Sequence, residues 1–375
     1  MIRDAFGLVY AGEQNINLRE LVHARSVGAL PIGGRYRAID FVLSCMVNSG
    51  VRNVGVIAQK NYRSLMDHLG SGKEWDLSRK NDGLFILPPY FSSENSGHYN
   101  GMVDAIKGVM SYIRRCSQKY CILSGSYTVF NMLFDEAMDF HIQNNSDITM
   151  LYSMETNRFF TGERFKDLRL HMEENGRITD MELNSEMSNS KNVGMDVYII
   201  RKDLLEYLVE DCASRGKYNF ITDLLMGNLT RLHYYGFKHS GYVGRLHSVA
   251  SYFKMNMDML KPEVQQDLFY NGRNIYTKIK DEAPAKYVQD SDVQNSFVAN
   301  GCIIGGQVEN SVLFRGVFVA PGAKVKNCII MQDSEVSENA DLEYVIIDKL
   351  VQIRQGRRLI GDADFPVIIR KGAIL

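Results

Sequence analysis

The chain has 375 residues, of which 45% are apolar and 23% charged, and its formal net charge is −1. That length exceeds what one hydrophobic core organises, so two domains are expected, and the near-neutral charge gives no attraction to nucleic acid or to an anionic membrane. No apolar run is long enough to span a bilayer, and the opening MIRDAFGLVYAG enters a strand-like segment without a leader core, so a soluble cytoplasmic protein is expected.

The six cysteines, at 45, 116, 121, 212, 302 and 328, show no CxxC pair, and most sit in apolar settings. Buried reduced thiols fit that pattern better than disulfides or a zinc site. In chain order, strand-like runs fall at 6–12 (FGLVYAG), 52–59 (RNVGVIAQ), 120–126 (YCILSGS), 147–154 (DITMLYSM) and 193–200 (VGMDVYII). Amphipathic stretches lie between them; in 38–50, Ile39, Val42, Leu43 and Met46 repeat at helical spacing. Strand and helix alternating at this interval predict an α/β domain with a mainly parallel sheet, which binds ligands at the carboxyl ends of its strands. The stretch 248–262, SVASYFKMNMDMLKP, predicts a methionine-rich core helix ended by Pro262.

From Val298 to Val351 the period changes. Apolar residues recur about every six positions, at Leu313, Val319, Val325, Ile330, Val336, Leu342, Val345 and Val351, with small and turn-forming residues between. That is the mark of a parallel β-helix of hexapeptide repeats, with ordinary strands and turns as the competing reading. All eight histidines precede this region, which favours an assembly role over histidine-based acyl transfer.

A sheet domain followed by such a β-helix is the architecture of sugar-phosphate nucleotidyltransferases. The segments 32–59 (IGGRYRAIDFVLSCMVNSGVRNVGVIAQ), 70–77 (GSGKEWDL), 87–90 (LPPY) and 285–304 (AKYVQDSDVQNSFVANGCII) resemble the glucose-1-phosphate adenylyltransferase (ADP-glucose pyrophosphorylase) family over nearly the whole chain. The resemblance implies a Rossmann-like nucleotidyltransferase domain at 1–245, an interdomain helix and linker at 246–290, and a left-handed parallel β-helix at 291–375. In that family glucose 1-phosphate attacks the α-phosphate of ATP, with Mg²⁺ held by carboxylates and a glycine-rich loop around the phosphates.

Set against the family's motifs, the chemistry is missing. In AGEQNINLREL (11–21) Gly12 remains, Glu13 replaces a basic residue, Gln14 a glycine, and Asn17 the phosphate-neutralising arginine. Arg19 reads as a surface arginine rather than as its substitute. Val27 and Gly28 replace a lysine-proline pair, and Leu183 and Asn184 stand where the sugar-phosphate lysine belongs. Ser126, in CILSGSYTVF, falls on the first metal aspartate and Arg245 on the second. A hydroxyl and a guanidinium do not hold Mg²⁺. GMVDA (101–105) keeps Gly101 and Asp104 of the nucleotide motif, which reads either as a residual nucleotide site or as a helix start without a ligand. Arg25 and Arg37 match basic positions tied to a sugar-phosphate effector, or are surface ion pairs.

The resemblance therefore implies a catalytically impaired regulatory subunit of glucose-1-phosphate adenylyltransferase in glycogen biosynthesis. Such a subunit binds no metal or cofactor of its own and partners a catalytic homologous subunit, which carries Mg²⁺, in a heterotetramer. The alternatives are an active nucleotidyltransferase with a rewired site, and a scaffolding or sensing protein with no such partner.

Overall fold

A computed structural model describes residues 1–13, 16–89, 98–154, 167–183 and 188–375. Nine strands build the principal sheet: β1 (Ala5–Ala11), β2 (Asn53–Ala58), β3 (Gly83–Leu87), β4 (Tyr120–Gly125), β5 (Ile148–Met154), β6 (Leu168–Met172), β7 (Ile178–Leu183), β8 (Asn192–Arg201) and β9 (Tyr234–His239). Their order is β7-β6-β8-β4-β1-β2-β3, with β5 beside β8 and β9 beside β5. The run β4-β1-β2-β3 is parallel throughout. Strands β1 and β2 are buried at every position, as central parallel strands covered on both faces must be. The five runs predicted from the sequence each appear within a residue of their expected ends. Strand β8 differs in direction, running antiparallel to both β4 and β5.

Five helices matter here: α1 (Ala38–Asn48), α2 (Met102–Gly108), α3 (Lys202–Ser214), α4 (Val249–Asp258) and α5 (Pro262–Phe269). Helix α3 shows the usual logic, burying Leu205, Leu208, Val209 and Cys212 along one stripe. Helix α4 is capped by Ser248 and Ser251 in a reciprocal capping box, and its Met255 is buried as core. Pro262 does not merely stop that helix. It opens α5 from the first helical position, where a missing N–H costs nothing. No described helix is long and apolar enough to cross a membrane. All six cysteines are buried and unpaired.

The compact units are discontinuous in sequence. One comprises 1–14, 41–243 and 273–276, and the other 15–40, 244–272 and 277–375. The segments 15–40 and 244–272 therefore count with the β-helix rather than with the nine-stranded sheet.

In the second unit, three parallel five-stranded sheets form the β-helix. Val308 pairs with Val325 and Val325 with Leu342, so these coils take 17 residues each, whereas Val293 pairs with Val308 across 15 and Val345 with Val367 across 22. The inward ladder proceeds by unequal steps. Val308, Leu313 and Val319 are followed by Val325, Ile330 and Val336, then by Leu342, Ile347 and Ile353, all buried. Val345 and Val351, expected on the ladder, are buried beside it. The outer faces differ sharply. One presents Val312, Ile329 and Ile346, all buried. A second presents charges, including the Lys326–Glu309 and Arg358–Asp341 pairs. On the buried side the hairpin 31–37 turns at Gly33 and Gly34, both at positive φ. Helix α4 holds it through Asn256 Oδ1, which accepts from Gly33 N at 3.0 Å, and through Tyr252 Oη, which donates to the Pro31 carbonyl at 2.7 Å.

Candidate functional site

The carboxyl ends of β1 and β4 bring Gly12, Glu13 and Ser126 together, as their motif positions predict. The amide of Ser126 donates to Glu13 Oε1 and its hydroxyl to Glu13 Oε2, each at 2.9 Å. Both carboxylate oxygens of Glu13 are thus engaged by Ser126, the residue that the resemblance sets at a metal aspartate. Gly12 packs under Tyr10, and a Cβ there would lie 2.7 Å from the tyrosine ring.

A second carboxylate, missed by the sequence reading, completes the cluster. Asp196 sits in β8 at φ 57°, inside the stretch from Gly194 to Tyr198 where pairing with β5 slips. This bulge turns its side chain toward β4. A Cβ on Gly125 would meet Asp196 Oδ2 at 2.0 Å and Glu13 Oε1 at 3.1 Å, so the two carboxylates converge on one glycine. Tyr198 Oη donates to Asp196 Oδ1 at 3.0 Å, and Tyr127 also bonds this carboxylate. The available signal was a charge inside the apolar run VGMDVYII.

Electrostatically the cluster is acidic and enclosed. Burial pushes the Glu13 carboxyl up to about 8, opposed by the bonds from Ser126 and reinforced by Asp196, although the residue as a whole keeps some exposure. Burial likewise raises Asp196 to about 6, against the tyrosine hydrogen bonds. Near neutral pH the pair retains a proton. Donors and charge do not fit Mg²⁺: both Glu13 oxygens are occupied, Ser126 is neutral, and a carboxyl that keeps its proton is a poor ligand.

The other expected positions lie elsewhere. Gly101 caps α2, and Asp104 Oδ2 accepts from Asn100 N and Nδ2, each at 3.0 Å, closing that helix start on itself. A Cβ on Gly101 would strike the Tyr218 carbonyl oxygen at 2.3 Å, so packing alone explains this glycine. Asn184 and Gln14 lie outside the described residues. Asn17, Val27 and Arg245 belong to the second unit, Val27 buried in a short 3₁₀ turn and Arg245 half-buried beside Gly244.

The second unit also gathers Arg25 and Arg37, with a residue the sequence reading passed over. Arg25, fully buried, donates from Nη2 to both oxygens of Asp348, at 2.7 and 2.9 Å. Arg37 donates its backbone N–H to Asp40 Oδ2 at 2.9 Å. Beside them stands Lys349, whose ammonium is pushed down to about 7 by burial, then by Arg37 and Arg25, with Asp348 opposing and Lys280 adding a little. Lys349 thus feels three cations and the Asp348 carboxylate that Arg25 holds.

The sequence comparisons give the family. The pattern of the nucleotidyl transferase family matches residues 7–261, and that of the GlmU-like C-terminal hexapeptide matches 283–364. The chain belongs to the nucleotidyl transferase family, with a hexapeptide β-helix appended. A "Glycogen biosynthesis protein GlgD" of Bacillus subtilis (strain 168) is 37% identical, covering 96% of this chain and 93% of its own. The GlgD of Geobacillus stearothermophilus is 38% identical over 95% and 93%. A "Glucose-1-phosphate adenylyltransferase" of Acetivibrio thermocellus is 33% identical over 95% and 84%. Within the nucleotidyl transferases, then, the chain belongs to the glucose-1-phosphate adenylyltransferase family and is similar to its GlgD-type members.

Proposed function

We propose that this chain is a subunit of glucose-1-phosphate adenylyltransferase in glycogen synthesis, that its own site is catalytically impaired, and that it modulates a catalytic homologue. One observation carries the reading: Glu13 binds both the amide and the hydroxyl of Ser126, setting an internal carboxylate where the family sets triphosphate and metal. A substrate triphosphate entering there would meet the Glu13–Asp196 pair, and like charges at close range disfavour its binding. This chain holds no Mg²⁺; the catalytic partner holds it.

The modulation is a population shift. By binding the active conformation of the catalytic subunit better than the inactive one, the chain raises that state's share and with it activity or effector response. A sugar-phosphate effector is recognised by Arg37 and Lys349, with Arg25 acting through its hold on Asp348. The test is a three-way assay of this chain, the catalytic homologue and the two expressed together. Altered turnover or effector response in the mixture supports the reading. Unchanged kinetics with co-purification refutes modulation, and failure to co-purify refutes the partnership.

A further inference from the structure

The opposite end of the principal sheet carries a feature that the nucleotidyltransferase comparison does not explain. Strands β4, β1, β2 and β3 are consecutive in the sheet and parallel, so their amino ends form one row. Each is entered from a segment bearing a donor: Gln118 before β4, Arg3 before β1, Arg52 before β2 and Arg79 before β3. With neighbouring strands roughly 4.8 Å apart, the three arginines arise along a row of about 10 Å. They line a cleft of about 510 Å³ together with Asp76, Asp82 and Gln118, a size within the range of small-molecule sites.

Charge in this cleft is unevenly shared. Arg52 Nη1 and Arg79 Nη2 both bond the same oxygen of Asp76, the former at 2.9 Å, so one carboxylate serves two guanidiniums. Arg3 makes no ion pair or side-chain hydrogen bond among the described residues, and neither does the Asp82 carboxylate, which stands at φ 62°. Gln118 is buried; its Oε1 accepts from Asn53 Nδ2 at 3.4 Å, while its Nε2 has no partner among the described residues. Three guanidiniums thus face two carboxylates, with an amide donor at the floor and an acceptor at the rim.

We propose that this cleft binds a small organic phosphate, the phosphate group lying among Arg3, Arg52 and Arg79 and a hydroxyl of the organic part bonding Asp82. The planar guanidinium fork suits phosphate oxygens, and a carboxylate beside it selects a ligand that also carries donors. The arginines come from three separate segments that lead into adjacent strands, so the site does not depend on one loop. It lies at the end of the sheet away from Glu13 and Ser126, so ligand binding there does not require the degraded site.

The experiment titrates the full chain with inorganic phosphate, glucose 6-phosphate and glucose, read by calorimetry and by thermal shift. Glucose 6-phosphate binds most tightly, phosphate more weakly, and glucose not measurably. In the Lys349→Gln chain, which lacks the effector lysine of the proposed function, glucose 6-phosphate still binds, and adding Arg3→Gln and Arg52→Gln weakens that remaining binding by about tenfold or more. Should the arginine pair of substitutions prevent folding by circular dichroism, Arg79→Gln replaces it with the same expectation, and Asp82→Asn lowers the preference for glucose 6-phosphate over phosphate. Three results would each overturn the proposal: no saturable binding below about 10 mM, binding unchanged by the arginine substitutions, or binding lost in Lys349→Gln alone. Equal affinity for phosphate and glucose 6-phosphate would overturn the role of Asp82.

Discussion

Two charged clusters in this chain solve opposite problems. At the carboxyl ends of β1 and β4, Glu13 and Asp196 are enclosed with hydroxyl and amide donors and no described ion pair, so the pair relieves its charge by holding a proton. In the second unit Lys349 is buried beside Arg25 and Arg37, and it relieves that crowding by tending to lose its proton. The first cluster fills itself from within and repels anions. The second gathers cations, and under the proposed function it recognises an anion. Under the proposed function the two clusters belong to one shift, from turning over phosphates to responding to them.

The largest expected effect tests whether the first cluster is closed to chemistry. With ATP, glucose 1-phosphate and Mg²⁺, the purified chain should form ADP-glucose at least about a thousandfold more slowly than a catalytic homologue, since metal stabilisation alone contributes several kcal/mol. Ser126→Asp with Arg245→Asp should recover little, because the new carboxylate at 126 lands against Glu13. A rate within about tenfold of the homologue would end the contrast.

The second test concerns the ion pair that anchors the basic cluster. Arg25 and Asp348 are only 4% and 3% exposed at their side chains. Arg25→Ala leaves Asp348 buried without its cation and should cost about 3–5 kcal/mol in denaturant unfolding, whereas the double replacement Arg25→Met, Asp348→Leu should cost much less. Equal losses would mean that packing, not charge, governs the site.

Proton linkage separates the clusters more finely. An anion bound at Lys349 raises the pKa of that ammonium from about 7, so binding takes up a proton and affinity falls as pH rises through 7. The decline should approach about tenfold per pH unit for one proton, and Lys349→Gln should flatten it. For Glu13 the sign concerns stability. Its folded carboxyl is raised to about 8, so its contribution is fully present below the unfolded value near 4.5 and is lost as pH rises through 8. Glu13→Gln keeps an acceptor for the Ser126 amide without the charge. It should therefore reduce the fall in Tm between pH 5 and pH 9 by a few °C, on the order of what 1 kcal/mol yields in a domain of this size.

The five strand runs were legible because central parallel strands are apolar at every position, and the β-helix because each coil repeats its buried residues. The antiparallel course of β8 was not, since a strand covered on both faces reads alike in either direction. Ser126 was recognisable as a departure from the family's aspartate, but its partnership with Glu13 required the fold, which joins positions 113 residues apart. Asp196 stayed hidden because a bulge, not a motif, aims it. Lys349 stayed hidden because a lysine in a turn reads as solvated until burial and two arginines surround it. Gly101 misled in the other direction: a residue retained from a nucleotide motif is also required by the carbonyl of Tyr218.

The 17-residue spacing that carries Val308 to Val325 and Val325 to Leu342 sets which deletions these coils can absorb. In these coils the apolar and charged outer faces keep a fixed phase with the inward ladder, so excising 17 residues, for example 308–324, removes one storey and joins Gln307 to Val325 in register. A deletion of 16 or 18 would displace every later side chain by one position and turn Lys324 or Lys326 inward where Val325 belongs. Length variation in this region is thus confined to the corners: the paired strands keep their phase although Asp292 pairs with Gln307 across 15 residues and Val345 with Val367 across 22.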